Sequence, residues 1–125
     1  MGYDSFNNGT PIYQQIIELI KAKIISKDFA PGDKLPSVRE LSQMYAINPN
    51  TVQKALTELE NMGLIYTERT NGKYVVDNDK LIKKIGLSAV RELTTEFCEK
   101  ISKMGYSKQD IINIINEEVK WWTIF

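Results

Sequence analysis

The chain has 125 residues, 42% of them hydrophobic and 26% charged, a balance that suits one ordinary domain or a small domain with an appendage and argues against disorder over most of its length. Lysine plus arginine and aspartate plus glutamate number 16 each, so the net charge is zero and any nucleic-acid binding must come from a local patch. With no histidine and a single cysteine, Cys98, there is no intramolecular disulfide and no multi-thiolate metal site to build; with no apolar run of about 18 residues there is no spanning helix or signal peptide. A cytoplasmic protein without metal, cofactor or membrane contact is expected.

Thr10 before Pro11 reads as a cap and its first-turn proline, and Ile12, Ile16, Leu19, Ile20 and Ile24 recur at helical spacing, which predicts a first helix from about Pro11 to Ser26. Pro31 and Gly32 lie in the segment that breaks it, and Lys34-Leu35-Pro36 reads as extended because a residue before proline avoids the helical region. Ser37-Val38-Arg39-Glu40 is a capping box that starts a second helix of about two turns at Ser37. Asn48-Pro49 repeats the cap-and-proline signal after the short stretch Tyr45-Ala46-Ile47. Val52, Ala55, Leu56 and Leu59 then give a third helix one apolar face before Gly63. Two short helices joined by a tight turn make a helix-turn-helix.

Residues 64–68 and 73–76 are β-prone, and Arg69-Thr70-Asn71-Gly72 between them ends in Asn-Gly, a strong hairpin signal. A hairpin in that place is a wing. Beyond Asp79, a broad stripe of Leu81, Ile82, Ile85, Ala89, Leu93, Phe97, Ile101 and Met104 predicts a fourth helix of about seven turns, stopped by Gly105. Ser107 and Asp110 form a second box-like pair, opening a fifth helix that holds Ile111, Ile112, Ile114, Ile115, Val119, Trp121 and Trp122. The predicted fold is mostly α with a small β-hairpin: a winged helix-turn-helix over 1–76 and a two-helix dimerisation tail over 77–125.

On the third helix, Asn50, Gln53, Lys54, Thr57 and Asn61 point away from the apolar face. Amides can pair twice with an adenine edge, lysine can donate to guanine or phosphate, and threonine can meet a thymine methyl, so this face suits the DNA major groove. Arg39 lies in the first turn of the second helix, where the positive helix end already favours an anion; it either clamps a phosphate or base, or pairs with Glu40 or Asp33. Ser37 is explained by capping alone, with phosphate contact as its other role. Thr51 binds phosphate or bonds back to Asn48. Arg69, Asn71, Gly72 and Lys73 at the wing tip suit a minor groove or backbone phosphates, against the plainer reading of a solvated hairpin. Residues 1–76 carry eight basic and eight acidic groups, so specific binding depends on how those charges segregate.

The apolar stripes of the last two helices exceed what two helices can bury, and a second copy of the chain is the natural partner. Ile85, Ala89, Leu93, Phe97, Ile111, Ile115, Trp121 and Trp122 are the residues expected at that interface. Trp121, Trp122, Ile124 and Phe125 serve either as interface anchors or as the wall of a cavity for a small effector. Cys98 reads as a small core or interface residue. No catalytic residue is expected, because the chain has no histidine and no Gly-rich phosphate loop. The other function class open to a winged helix is a protein-interaction module without specific DNA binding.

Pro11-Ile12-Tyr13-Gln14-Gln15-Ile16, Gly32-Asp33-Lys34-Leu35-Pro36-Ser37-Val38-Arg39-Glu40-Leu41, Asn48-Pro49-Asn50-Thr51-Val52-Gln53-Lys54-Ala55 and Leu59-Glu60-Asn61-Met62-Gly63-Leu64-Ile65 together resemble the GntR family of bacterial transcription regulators. The resemblance spans about Pro11 to Val76. The short tail, with Met104-Gly105-Tyr106-Ser107 between its helices, resembles the YtrA subfamily, which lacks the large effector domain of other branches. It implies a homodimeric repressor on a double-stranded inverted-repeat operator, often one that controls its own operon with ABC-transporter genes. The family's DNA-contacting arginine maps onto Arg39, its recognition-helix contacts onto Asn50, Thr51 and Gln53, and its wing glycine onto Gly72. The chain departs from the pattern at Pro49 and Gln53, where many members carry arginines, and at Thr70, which replaces the usual first wing glycine.

Overall fold

The computed structural model describes residues 6–122. Its elements run α1 (Ile12–Ile25), α2 (Val38–Tyr45), α3 (Pro49–Asn61), β1 (Ile65–Glu68), β2 (Gly72–Val75), α4 (Asp79–Ser102) and α5 (Lys108–Glu118). The result is a winged helix-turn-helix fold, mostly α with one antiparallel hairpin. Contacts divide the chain into two units, and the division falls within α4 between Ile85 and Gly86.

In the first unit, the four-residue spacing of Ile16, Ile20 and Ile24 places all three on one side of α1. They join Leu41 of α2, Val52, Ala55, Leu56 and Leu59 of α3, and Leu64, Ile65 and Val75 around the hairpin in one buried core. Each fully buried Leu or Ile contributes about 1.5–3 kcal/mol of transfer free energy. Helix α1 starts one residue later than expected, with Pro11 rather than Thr10 as its cap and no side-chain cap bond. The Gln15 carboxamide orders the preceding segment instead: it accepts from the Asn7 N–H at 2.9 Å and donates to the Asn7 and Thr10 carbonyls at 2.8 and 2.7 Å. Helix α2 ends on Ala46 in the left-handed region (φ 54°), which makes the turn into α3 short.

The hairpin pairs Ile65 with Val75, Tyr66 with Tyr74, Thr67 with Lys73 and Glu68 with Gly72. Gly72 therefore belongs to β2, and the loop is the three residues Arg69 to Asn71 rather than four. Its φ of +100° is open to glycine at no steric cost, and a Cβ there would stand 3.4 Å from Cε of Lys34. The extended stretch before α2 finds a partner that its sequence does not announce. Leu35 N–H donates to the Lys73 carbonyl at 2.8 Å and Val75 N–H to the Asp33 carbonyl at 2.8 Å, which brings Lys34 alongside Tyr74 in an antiparallel bridge to β2.

This unit runs past Val76 because the start of α4 closes its core: Ile82 is buried and Ile85 packs partly buried against the same cluster. Ile85, expected between two chains, is thus taken up by the chain's own core. Lys27 ion-pairs with Asp79 at the first residue of α4, and Lys83 reaches the other oxygen of Asp79 at 3.2 Å.

In the second unit, the later part of α4 leads through Gly105 (φ +89°) to the capping box of α5. Ser107 Oγ accepts from the Asp110 N–H at 3.1 Å, and Asp110 Oδ2 accepts from the Ser107 N–H at 2.9 Å. Ile111 is 8% exposed, so it too is used within the chain rather than held out for a partner. Helix α5 stops at Glu118 with Val119 as its cap, short of the tryptophans expected inside it. Trp121 and Trp122 stack on each other, ring centroids 5.9 Å apart. Ile124 and Phe125 lie outside the described residues.

Candidate nucleic-acid interface

Helix α3 is anchored by its apolar face and capped by Asn48, whose side chain accepts from the Asn50 N–H at 2.8 Å with Pro49 in the first turn. That anchoring leaves Asn50, Gln53, Lys54, Thr57 and Asn61 exposed in one polar band. Gln53 Nε2 lies 3.4 Å from Thr57 Oγ1, and the Thr57 hydroxyl donates to the Gln53 carbonyl at 3.0 Å. Thr51 is half-buried, and its own N–H donates to the Asn48 carbonyl at 3.0 Å. Lys54 does not extend freely from the band: its Nζ sits 3.8 Å from the centroid of the Tyr13 ring on α1, a cation–π contact.

Ser37 and Glu40 complete the capping box, with bonds of 3.0 Å each way between side chain and backbone. The backbone and hydroxyl of Ser37 hold the Glu40 carboxyl below the usual carboxylate range. Asp33 accepts from the Ala30 N–H at 2.9 Å. Both acids that could have neutralised Arg39 are therefore engaged with backbone. Arg39 is exposed and makes no ion pair among the described residues. A guanidinium in the first turn of a helix can bind an anion bidentately.

At the wing tip, Arg69 is exposed and likewise without an ion pair among the described residues, while the Asn71 N–H donates to the Glu68 carbonyl at 3.3 Å. Lys73 differs from its sequence expectation. Its Nζ donates to Glu60 Oε1 at 2.8 Å and to Thr67 Oγ1 at 2.8 Å, and its side chain is 16% exposed. The Lys73 bond draws the Glu60 carboxyl below the usual range. Sequence reasoning passed over Glu60 and Tyr13, since a carboxylate near a helix end and a tyrosine in a first turn carry no signal of the distant lysines they meet.

The second unit presents large apolar groups among its exposed charges. Leu93 is 67% and Trp121 76% exposed, and Phe97, Ile115 and Trp122 are exposed as well, joined by Leu87, Val90 and Met104; Ala89 is half-buried. An open groove of about 540 Å³ lies between α4 and α5, lined by Thr94, Cys98, Tyr106, Ile111, Ile112 and Ile115 among others. The tryptophans are not among its walls. No helix among the described residues is long and apolar enough to cross a membrane.

The family model described as "Bacterial regulatory proteins, gntR family" matches residues 12–75. The HTH-type transcriptional repressor YtrA of Bacillus subtilis is 51% identical over 73 residues, which cover 58% of this chain and 56% of that repressor. A GntR family transcriptional regulator from Listeria monocytogenes superposes with a TM-score of 0.87 at 38% identity, covering 90% of this chain and 98% of the other. The DNA-binding domain of AraR, solved in complex with its operator ORX1, gives a TM-score of 0.54 at 28% identity over 58% of this chain and 93% of that domain.

Proposed function

The chain belongs to the GntR family of bacterial regulatory proteins and carries that family's DNA-binding domain; from this premise we infer that it acts as a homodimeric transcriptional repressor on an inverted-repeat operator. Its matched relatives are transcription regulators, not enzymes. The observation that carries the reading is the pairing state of the surface: α3 offers amides and hydroxyls to solvent, while Arg39 and Arg69 make no ion pair among the described residues. Asn50 and Gln53 are the groups for base edges, with Thr51 and Ser37 beside helix starts that favour phosphate. Arg69, Asn71 and Gly72 form a slim wing tip for the adjacent groove or backbone. The repressor role is carried over from YtrA and operator binding from AraR.

The dimer rests on α4. Leu87, Val90, Thr94, Phe97 and Ile101 follow one another along α4 at alternating spacings of three and four, the seam of paired helices, and Leu87, Val90 and Phe97 are exposed. Leu93, Ile115, Trp121 and Trp122 add exposed apolar area to the same unit. Two winged units held by such a seam read half-sites about one helical turn, or a multiple, apart.

Fluorescence anisotropy on DNA from upstream of the protein's own reading frame, against a scrambled duplex at two salt concentrations, tests the reading. Salt-dependent binding that prefers its own promoter by a factor of about a thousand is expected. Weak binding that does not distinguish the two duplexes and does not respond to salt would favour a protein-interaction module instead.

A further inference from the structure

We propose that Glu60 is a positioning residue for DNA reading: by clasping Lys73 and Thr67 it clips the wing to α3 and sets where Arg69 stands relative to Asn50 and Gln53. This rests on the reading of α3 and the wing as one DNA-contacting surface. Both carboxylate oxygens are used, Oε1 accepting from Lys73 Nζ at 2.8 Å and Oε2 from the Thr67 hydroxyl at 3.0 Å. The ring closes through Lys73 Nζ, which donates to Thr67 Oγ1 at 2.8 Å. Thr67 and Lys73 are direct partners across the hairpin, so one carboxylate holds both strands.

The placement on α3 gives the clasp its consequence. Asn50, Gln53, Thr57 and Glu60 follow at steps of three, four and three, which is one line along a helix. Glu60 stands at the end of the line that faces the bases. On the hairpin side, Ile65 and Val75 are buried, whereas Thr67, Glu68 and Gly72 are exposed. The stretch around Lys34 holds β2 through the Lys73 carbonyl and the Val75 N–H, and the clasp adds a side-chain hold that takes in Thr67 of β1 as well. Lys73 supplies that hold with its charge paired to Glu60, and Arg69 is the cation of the tip that makes no ion pair among the described residues.

The full chain, its Glu60→Ala and Lys73→Met variants and the corresponding double variant are measured by anisotropy. The probes are the tightest duplex that the wild-type chain selects from a random pool, and a scrambled duplex, each at two salt concentrations. Each single variant is expected to weaken the selected duplex about tenfold, with the double no weaker than either, as for two members of one clasp. Arg69→Ala loses most of its effect in the Glu60→Ala background, and the charge-reversed pair E60K with K73E recovers part of the loss. Thermal midpoints confirm folding, and should Glu60→Ala unfold, Lys73→Met and the reversed pair decide alone. A shallower salt dependence and equal loss on both duplexes for Lys73→Met, with a gain for Glu60→Ala, would make Lys73 a phosphate contact and overturn the clasp. Variants that bind as the wild type does would overturn it too, with the DNA surface intact. A wild-type chain that selects no preferred duplex would bring down the DNA reading itself, and the clasp with it.

Discussion

Among the described residues, the first unit gathers fourteen buried apolar side chains into one core, whereas in the second Ile111 is buried while Leu87, Val90, Leu93, Phe97 and Met104 stand in solvent. Both units are built from amphipathic helices, and each contains a capping box. What separates them is closure: the apolar faces of α1 and α3 find each other, with α2, the wing and the start of α4 filling the remaining sides. A two-helix unit has no third side, and its leftover face needs material from elsewhere. Stability in the first unit is therefore a property of one chain, and under the proposed dimer that of the second is tied to association.

The sharpest test of that contrast is a matched pair of truncations. Leu59→Ala opens a cavity in the closed core and should cost about 2–5 kcal/mol in urea unfolding, independent of protein concentration. Leu93→Ala should act only through association, so its cost should vanish on dilution; a concentration-independent loss at Leu93 would erase the distinction. Next in size, Phe97→Asp buries a charge in the proposed seam and should weaken the dimer by at least about 2 kcal/mol in sedimentation equilibrium. A wild-type chain that sediments as a monomer would break the comparison outright.

Arg39→Ala belongs to the closed unit but to its outer surface. It should leave unfolding unchanged and cost about 1–3 kcal/mol in binding to a selected duplex, read by anisotropy. The two capping serines sharpen the contrast on a smaller scale. Ser37→Ala and Ser107→Ala each remove a cap worth about 1 kcal/mol. The first should appear as a lower global stability, and the second as faster hydrogen exchange confined to α5.

The smallest effect is acid sensitivity. Glu40 is held below its ordinary range by the Ser37 backbone and hydroxyl, Glu60 by Lys73 and Asp79 by Lys27 and Lys83, all within the first unit. A depressed folded-state pKa stabilises the fold above the ordinary carboxylate range, and that contribution fades as pH falls through the depressed value. The thermal midpoint of the first unit should drop on acidification through that window. Glu40→Gln, which keeps the reciprocal bond to Ser37, should flatten the drop; an unaltered pH profile would mean the capping carboxylate contributes nothing.

Much of this architecture was legible because its signals are local. The S-x-x-E spacing of Ser37 and Glu40 and the Ser107–Asp110 pair form the expected boxes, Asn48 caps α3, and Asn71-Gly72 sits at the hairpin turn. The polar band of α3 follows from helical spacing in the same way. Less could be read where two signals compete over one or two residues. Pro11 took the cap from Thr10, and Gly72 entered the strand because its positive φ lets the pairing continue to Glu68.

What the sequence determined by itself was where each element starts to within a residue or two, which face the helices of the first unit bury and which side chains α3 offers to solvent, since caps, turns and periodicity act within a few residues. Tertiary structure decided the state of the charges and the use of the apolar surplus. Lys73 and Lys54 look as available as Arg39 and Arg69 in the sequence, yet folding brings Glu60 to one and the Tyr13 ring to the other. Ile85 and Ile111 look like interface residues beside Leu93 and Phe97, yet folding spends them within the chain. In each case the deciding partner sits on another element, and a through-space contact between elements leaves no periodic or local trace in the order of the residues.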